Sequence, residues 1–207
     1  MLNEVLNKHF NQADLETITR ANLRQDWPHG QLHPEYHFDD SAFAESEAYL
    51  NQQRQLTRDS LSAKNRAASL AALGRLLHIR QDFYAHSNWV NLWVERHGGL
   101  LVCSPKDVEL CTTPQVEPDL VSGTASIPRY LLYRIPLLGP FVKRFYFPPD
   151  SHEAMNLDHP GQGSLFDYAM AAATKHTQVE FDLLLAEIAE DGGETAVAYF
   201  LGSQNEG

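Results

Sequence analysis

The sequence predicts an all-α fold, and three observations lead there. Long proline-free stretches carry apolar residues at helical spacing. No stretch shows convincing strand alternation. Nine of the eleven prolines crowd into residues 98–163, so helices are expected on either side of that segment. With 207 residues, the chain fits one helical domain over 1–207, interrupted by an irregular Pro/Gly-rich insertion at about 98–163.

The elements follow in order. The first third is helical, with a break at WPHGQLHPEYHF, where Pro28, Gly30 and Pro34 forbid a continuous helix. Residues Phe43 to Asp59 read as a polar helix. Leu61 to about Arg96 is rich in Ala and Leu, with Leu70, Leu73, Leu76, Leu77 and Phe83 at helical spacing, and predicts one long, largely buried helix. From Ser164 the pattern is helical again. Ser164 is the expected N-cap, with Asp167 three residues on, and Gly192-Gly193 the expected end.

At 43% apolar and 21% charged residues, the composition is that of a globular chain with a core able to support a buried polar site. The formal net charge of −11 argues against a general nucleic-acid binder, which needs Lys and Arg for phosphate. Cys103 and Cys111 are too few for a disulfide framework, and their spacing is not that of a zinc finger. Reduced thiols, one bridge or metal ligation stay open for them. The N-terminus shows no basic segment followed by an apolar one, and no run of 18 apolar residues exists. A cytoplasmic location, or export without a signal, is expected.

The polar residues are more informative. In HIRQDFYAH, residues His78, Asp82 and His86 stand at four-residue steps. On a helix such positions drift only about 80° in total, so all three share one face. Two imidazoles and a carboxylate on one face suit a divalent metal such as zinc, or else three separate hydrogen bonds in a core. The apolar surroundings favour shared partners, because buried ionisable groups need them. His176 and Glu180 form a second pair at i, i+4. Small residues before it (Ala169, Ala171 to Ala173) would let its helix approach another closely, and facing helices can pool ligands. A third group, Asp26, His29, His33, His37, Asp39 and Asp40, lies in a loop-like setting.

Three segments together resemble a known superfamily. QDWPHG…YHFDD resembles segments of zinc-dependent bacterial phospholipases C. HIRQDFYAHSNW resembles the central motif of the related Het-C-like proteins, and HTQVE the late His-x3-Glu of the phospholipases. LETITRANL and MNLDHPGQG extend the likeness to Het-C-like proteins. The resemblance implies a helical fold with two zinc ions, or three, at the bottom of a cleft. Asp26, His37, His78 and Asp82 would hold one ion. His86, His176 and Glu180 would hold the second, with water at the open position. The third ion of the phospholipases has no clear ligand here, since Leu15 stands where relatives have histidine; His9 is the nearest substitute. The Asp82–His86 gap holds three residues where the phospholipases have five.

The activity so implied is phosphodiester hydrolysis of the phospholipase C type, with zinc activating a water that Asp26 orients. Two alternatives stand beside it. One is a Het-C-like recognition or cell-death signalling protein, acting through a protein partner with a structural or conditionally active zinc site. The other is a single-strand nuclease, which the net charge disfavours. The segment from Val121 to Pro149 has no acidic residue and carries Arg129, Arg134, Lys143 and Arg144 among apolar and aromatic side chains. It suits contact with a phospholipid substrate or an anionic membrane surface, or else a buried cap over the helices.

Overall fold

The computed structural model describes residues 1–27, 30–124, 132, 135–136, 138–145 and 148–203. The all-α expectation holds: the described residues form helices α1 (Leu2–Leu6), α2 (Gln12–Leu23), α3 (Phe43–Ser62), α4 (Arg66–His86), α5 (Trp89–Arg96), α6 (Leu138–Phe145), α7 (His152–Met155) and α8 (Leu165–Leu201). Pairing between extended segments is limited, among these residues, to two isolated bridges, Ser87 with Ser122 and Thr124 with Ser151.

Helix α4 is the axis of the molecule. It packs against α2, α3 and α8, and every residue from Leu76 to His86 is buried. A helix covered on all sides needs no apolar stripe, which is why polar and apolar residues mix freely around it. Leu73, Leu76, Leu77, Ile79 and Phe83 join the core with Leu50 of α3, Ile18 of α2 and Phe181 and Leu184 of α8. Close approach is built in at Gly74. A Cβ there would lie 2.3 Å from the Ile18 carbonyl oxygen of α2. Nearby, Asn22 Nδ2 donates to the Gly74 carbonyl and to Gln81 Oε1, and Gln81 Nε2 donates to Thr177 Oγ1, so α2, α4 and α8 are also joined by satisfied polar groups.

The single helix expected from Leu61 to Arg96 is three pieces. The end of α3 lies at Ser62, and Asn65 starts α4 by accepting the Ala68 N–H. The second break is at Ser87-Asn88. Ser87 Oγ donates back to the Phe83 carbonyl, and the Asn88 N–H and Oδ1 bond the Val121 backbone. These local bonds compete with the helical ladder and turn the chain into α5. On α8, Ser164 is not the side-chain cap, and the helix does not stop at the glycines. Gly193 kinks it at φ 66°, and helix continues to Leu201.

The described residues of 98–163 are mostly irregular, with the short helices α6 and α7 and 3-10 turns at Pro105–Asp107, Pro114–Val116 and Pro160–Gln162. They dock on the C-terminal end of α4, where a helix leaves carbonyls without partners. The Gly123 N–H donates to the His86 carbonyl and the Leu157 N–H to that of Ala85. Cys103 and Cys111 are unbonded thiols. No described helix is long and apolar enough to cross a membrane.

Candidate metal centre

Three stretches of chain converge on the last two turns of α4. The first is the break after α2. A 3-10 turn at Arg24–Asp26 brings Asp26 up to α4, and the chain folds back so tightly that a Cβ on Gly30 would meet the Gln25 carbonyl at 1.7 Å. The second is His37 to Ser41, where Phe38, Asp40 and Ser41 all have φ near 55°. Left-handed backbone is costly for such residues and persists only where the surroundings impose it. Phe38 is fully buried against Phe43 and Phe83, which anchors the strained loop and leaves its neighbours His37 and Asp39 buried beside α4. The third is the stretch carrying His152 and Asp158, held by the bonds to the end of α4.

Four of the expected ligands come together. His37 Nδ1 lies 2.8 Å from Asp82 Oδ2, and His78 Nε2 lies 3.0 Å from the same oxygen. The two ring nitrogens are 3.2 Å apart, and Asp26 Oδ1 is 3.6 Å from His78 Nε2. A tetrahedral ion with bonds of ~2.0–2.1 Å separates its ligands by about 3.3 Å. The observed spacings straddle that value. His37, His78 and Asp82 are buried, while the Asp26 side chain is 54% exposed and forms the open side. A second group lies next to it: Asp39, His86 and His152 each offer an atom within 4.8 Å of the others.

Charge in this pocket is one-sided. Among the described residues, every ion pair of Asp26, Asp39, Asp82 and Asp158 is to a histidine. Burial alone would raise the pKa of Asp82, but His78, His86 and His37 reverse this and hold the carboxyl far below its usual range. Burial likewise opposes charge on His86; Asp82, Asp39 and Asp158 outweigh it and push the imidazole up to about 10. Burial raises Asp26, with His78 pulling partly the other way. The site draws positive charge wherever it can find it.

His176 and Glu180 do not belong to this pocket, contrary to the expectation that they share an ion with His86. Glu180 already pairs with two guanidiniums, Arg54 at 2.5 Å and Arg80 at 3.0 Å. The Tyr84 hydroxyl is hydrogen-bonded to His176 Nδ1 at 2.7 Å and accepts the Cys111 N–H. Burial and the two arginines lower the His176 pKa to about 2, so the ring is neutral. A cation placed there would face two fixed positive charges, Arg54 and Arg80. The residues that do flank His86, namely Asp39, His152 and Asp158, were not singled out as its partners from sequence. Asp39 stood in a loop cluster without a distinguishing pattern, and His152 and Asp158 sit in the Pro-rich segment, where no periodicity predicts which way side chains face.

The remaining expectations fall elsewhere. His9 joins neither group; its ring packs on Phe181. Arg129 and Arg134 lie outside the described residues, as does the side chain of Lys143. Arg144 is exposed on α6.

Comparison with known proteins corrects the resemblance to phospholipases C and Het-C-like proteins. The family model that matches is the VWA7 N-terminal domain, over residues 2–111. Human von Willebrand factor A domain-containing protein 7 is 37% identical over 82 residues, and the rat protein of that name 35% over the same length. These alignments cover 39% of this chain and 9% of each relative. No solved structure matches. Nothing in these matches supports a hydrolase, a phospholipase C, a nuclease or a Het-C-like recognition protein, and those readings are withdrawn together with the water-orienting role that came to Asp26 with them. The shared motifs misled because a few His and Asp residues at helical spacing recur in proteins of unrelated function. With more than half of its length matched, from Leu2 through Cys111, the chain belongs to the VWA7 N-terminal domain family.

Proposed function

We propose that this domain is a zinc-binding module in which Asp26, His37, His78 and Asp82 hold one ion and clip the irregular segment before α3 onto α4. The observation that carries this reading is the convergence of two imidazole nitrogens on one carboxylate oxygen at 2.8–3.2 Å. Two such nitrogens gain little from facing each other unless a proton or a cation lies between them. Four protein ligands of the His/Asp type are a complete set for tetrahedral zinc. Asp26 and His37 come from a stretch with only 3-10 turns, which buries little apolar surface of its own. A metal bond to α4 would supply the fixation that secondary structure does not.

A second reading of the same site rests on the exposure of Asp26. An exposed carboxylate can leave the ion, and the vacated position would accept water or an anionic ligand. Relatives of this domain are about eleven times the length of the matched stretch, so the anion could come from another part of a larger protein. Elemental analysis of purified protein tests the main reading: bound zinc is expected, and Asp82→Asn should carry less of it. Metal-free wild-type protein that unfolds identically with and without added zinc would overturn it.

A further inference from the structure

We infer that Asp39, His86 and His152 form a second divalent-cation site beside the first, with Asp158 at its rim, so that the domain holds a pair of ions. The ligands differ from those of the first site, and the inference extends that reading to a two-ion centre.

The geometry is that of a built site. Asp39 Oδ1 is 2.9 Å from His152 Nδ1 and 3.5 Å from His86 Nδ1, and the two rings meet edge to face at 4.4 Å. His86 and Asp39 are nearly inaccessible, with side-chain exposures of 4% and 7%. His152 is 30% exposed and Asp158 is 52% exposed, which gives an ion a way in. Asp158 Oδ2 stands 3.3 Å from His86 Nε2 and is steadied by Asn156 Nδ2 at 2.9 Å. Two imidazoles and a carboxylate are a donor set that zinc accepts with an open fourth position, which Asp158 or water can fill.

Charge balance points the same way. Each half of the pocket contains two carboxylates and two histidines: Asp26, Asp82, His37 and His78 in one, Asp39, Asp158, His86 and His152 in the other. With neutral ligating histidines, each half carries two negative charges, which one divalent ion neutralises. A single ion at the first site would leave Asp39 and Asp158 against His86 and His152 with no other cationic partner among the described residues. The two halves are joined through His37, whose side chain belongs to the first and whose carbonyl oxygen accepts from His86 Nδ1 at 3.0 Å, which leaves Nε2 of that ring, 3.3 Å from Asp158 Oδ2, as the nitrogen that would face the second ion. Helix α4 contributes to both, since Asp82 and His86 are one turn apart.

The test is a zinc titration of the chelator-stripped whole chain, followed by calorimetry and by elemental analysis after dialysis. Wild type should bind two equivalents. His152→Asn and Asp39→Asn should each bind one, and His78→Asn should retain one at the second site. Circular dichroism establishes that each variant is folded, and if Asp39→Asn is not, the partly exposed His152 still carries the test. Wild type binding one equivalent that His152→Asn keeps and His78→Asn loses would overturn the second site alone. Wild type binding one equivalent that His152→Asn loses and His78→Asn keeps would instead overturn the first-site reading. No binding by wild type would overturn both.

Discussion

Arg80 and Asp82 stand two residues apart on α4, both buried, and they meet opposite environments. On the Arg80 side the charges are complete. Arg80 and Arg54 share Glu180, Arg80 also pairs with Glu47 at 2.8 Å, and a neutral His176 fills the remaining space against Tyr84. On the Asp82 side, among the described residues, the ion-pair partners of the carboxylates are all histidines. One helix thus carries a protein-neutralised charge cluster on one face and an anionic pocket on another. From sequence both read as His and acidic residues at four-residue spacing. The difference is the arginines, which complete the charges of one cluster and, among the described residues, form no ion pair with the other.

Four experiments can break or sharpen this contrast, from the largest effect down. Glu180→Gln removes the carboxylate that two arginines share and leaves the buried Arg80 with Glu47 as its one acidic partner among the described residues. The expected cost is about 3–5 kcal/mol in denaturant unfolding, with zinc content unchanged. A loss below about 1 kcal/mol, or a loss of zinc, would mean that the two clusters are not separate. Next, the Asp82 side should respond to metal where the Glu180 side does not. Free zinc at a hundredfold excess over its Kd should stabilise the wild type by about 2.7 kcal/mol for each site it fills, and Asp82→Asn should remove the first site's share. Equal zinc stabilisation of wild type and variant would defeat the assignment.

The third experiment uses pH. His176 has a folded pKa of about 2, below its unfolded value of about 6.5. The folded state therefore binds fewer protons between these values. The stability it contributes is present above about pH 6.5 and is lost as the pH falls. Acidification from pH 7 to pH 5 should cost about 2 kcal/mol through this one group. His176→Gln should show a shallower decline in urea midpoint; parallel declines would exclude His176 as the source. The smallest effect belongs to Asn65, which caps α4 at the end away from both clusters. Asn65→Ala should lower stability by about 1 kcal/mol and leave both the zinc response and the acid slope unaltered.

Much of the scaffold was legible. The Ala- and Leu-rich run gave α4, and the density of prolines gave the irregular segment. Spacing placed His78 and Asp82 on one face, and the structure sets both against His37. The second helix break was less visible, because Asn88 bonds Val121, more than thirty residues away. The false partner of His86 has a similar origin. His176 and Glu180 had the right types at the right spacing, but helical spacing states only which residues share a face, not what that face meets.

The sequence by itself determined that the protein is helical, that its core holds ionisable side chains, and that α4 carries a row of them. These are local matters of period, composition and helix-breaking residues. The tertiary structure alone decided which row meets arginines and which meets carboxylates, and it brought Asp39, His152 and Asp158 to His86. The physical reason is that charge compensation in a core acts between groups far apart in the chain. His152 reaches Asp39 only because the irregular segment satisfies the open carbonyls at the end of α4, a consequence of packing that residue spacing does not contain.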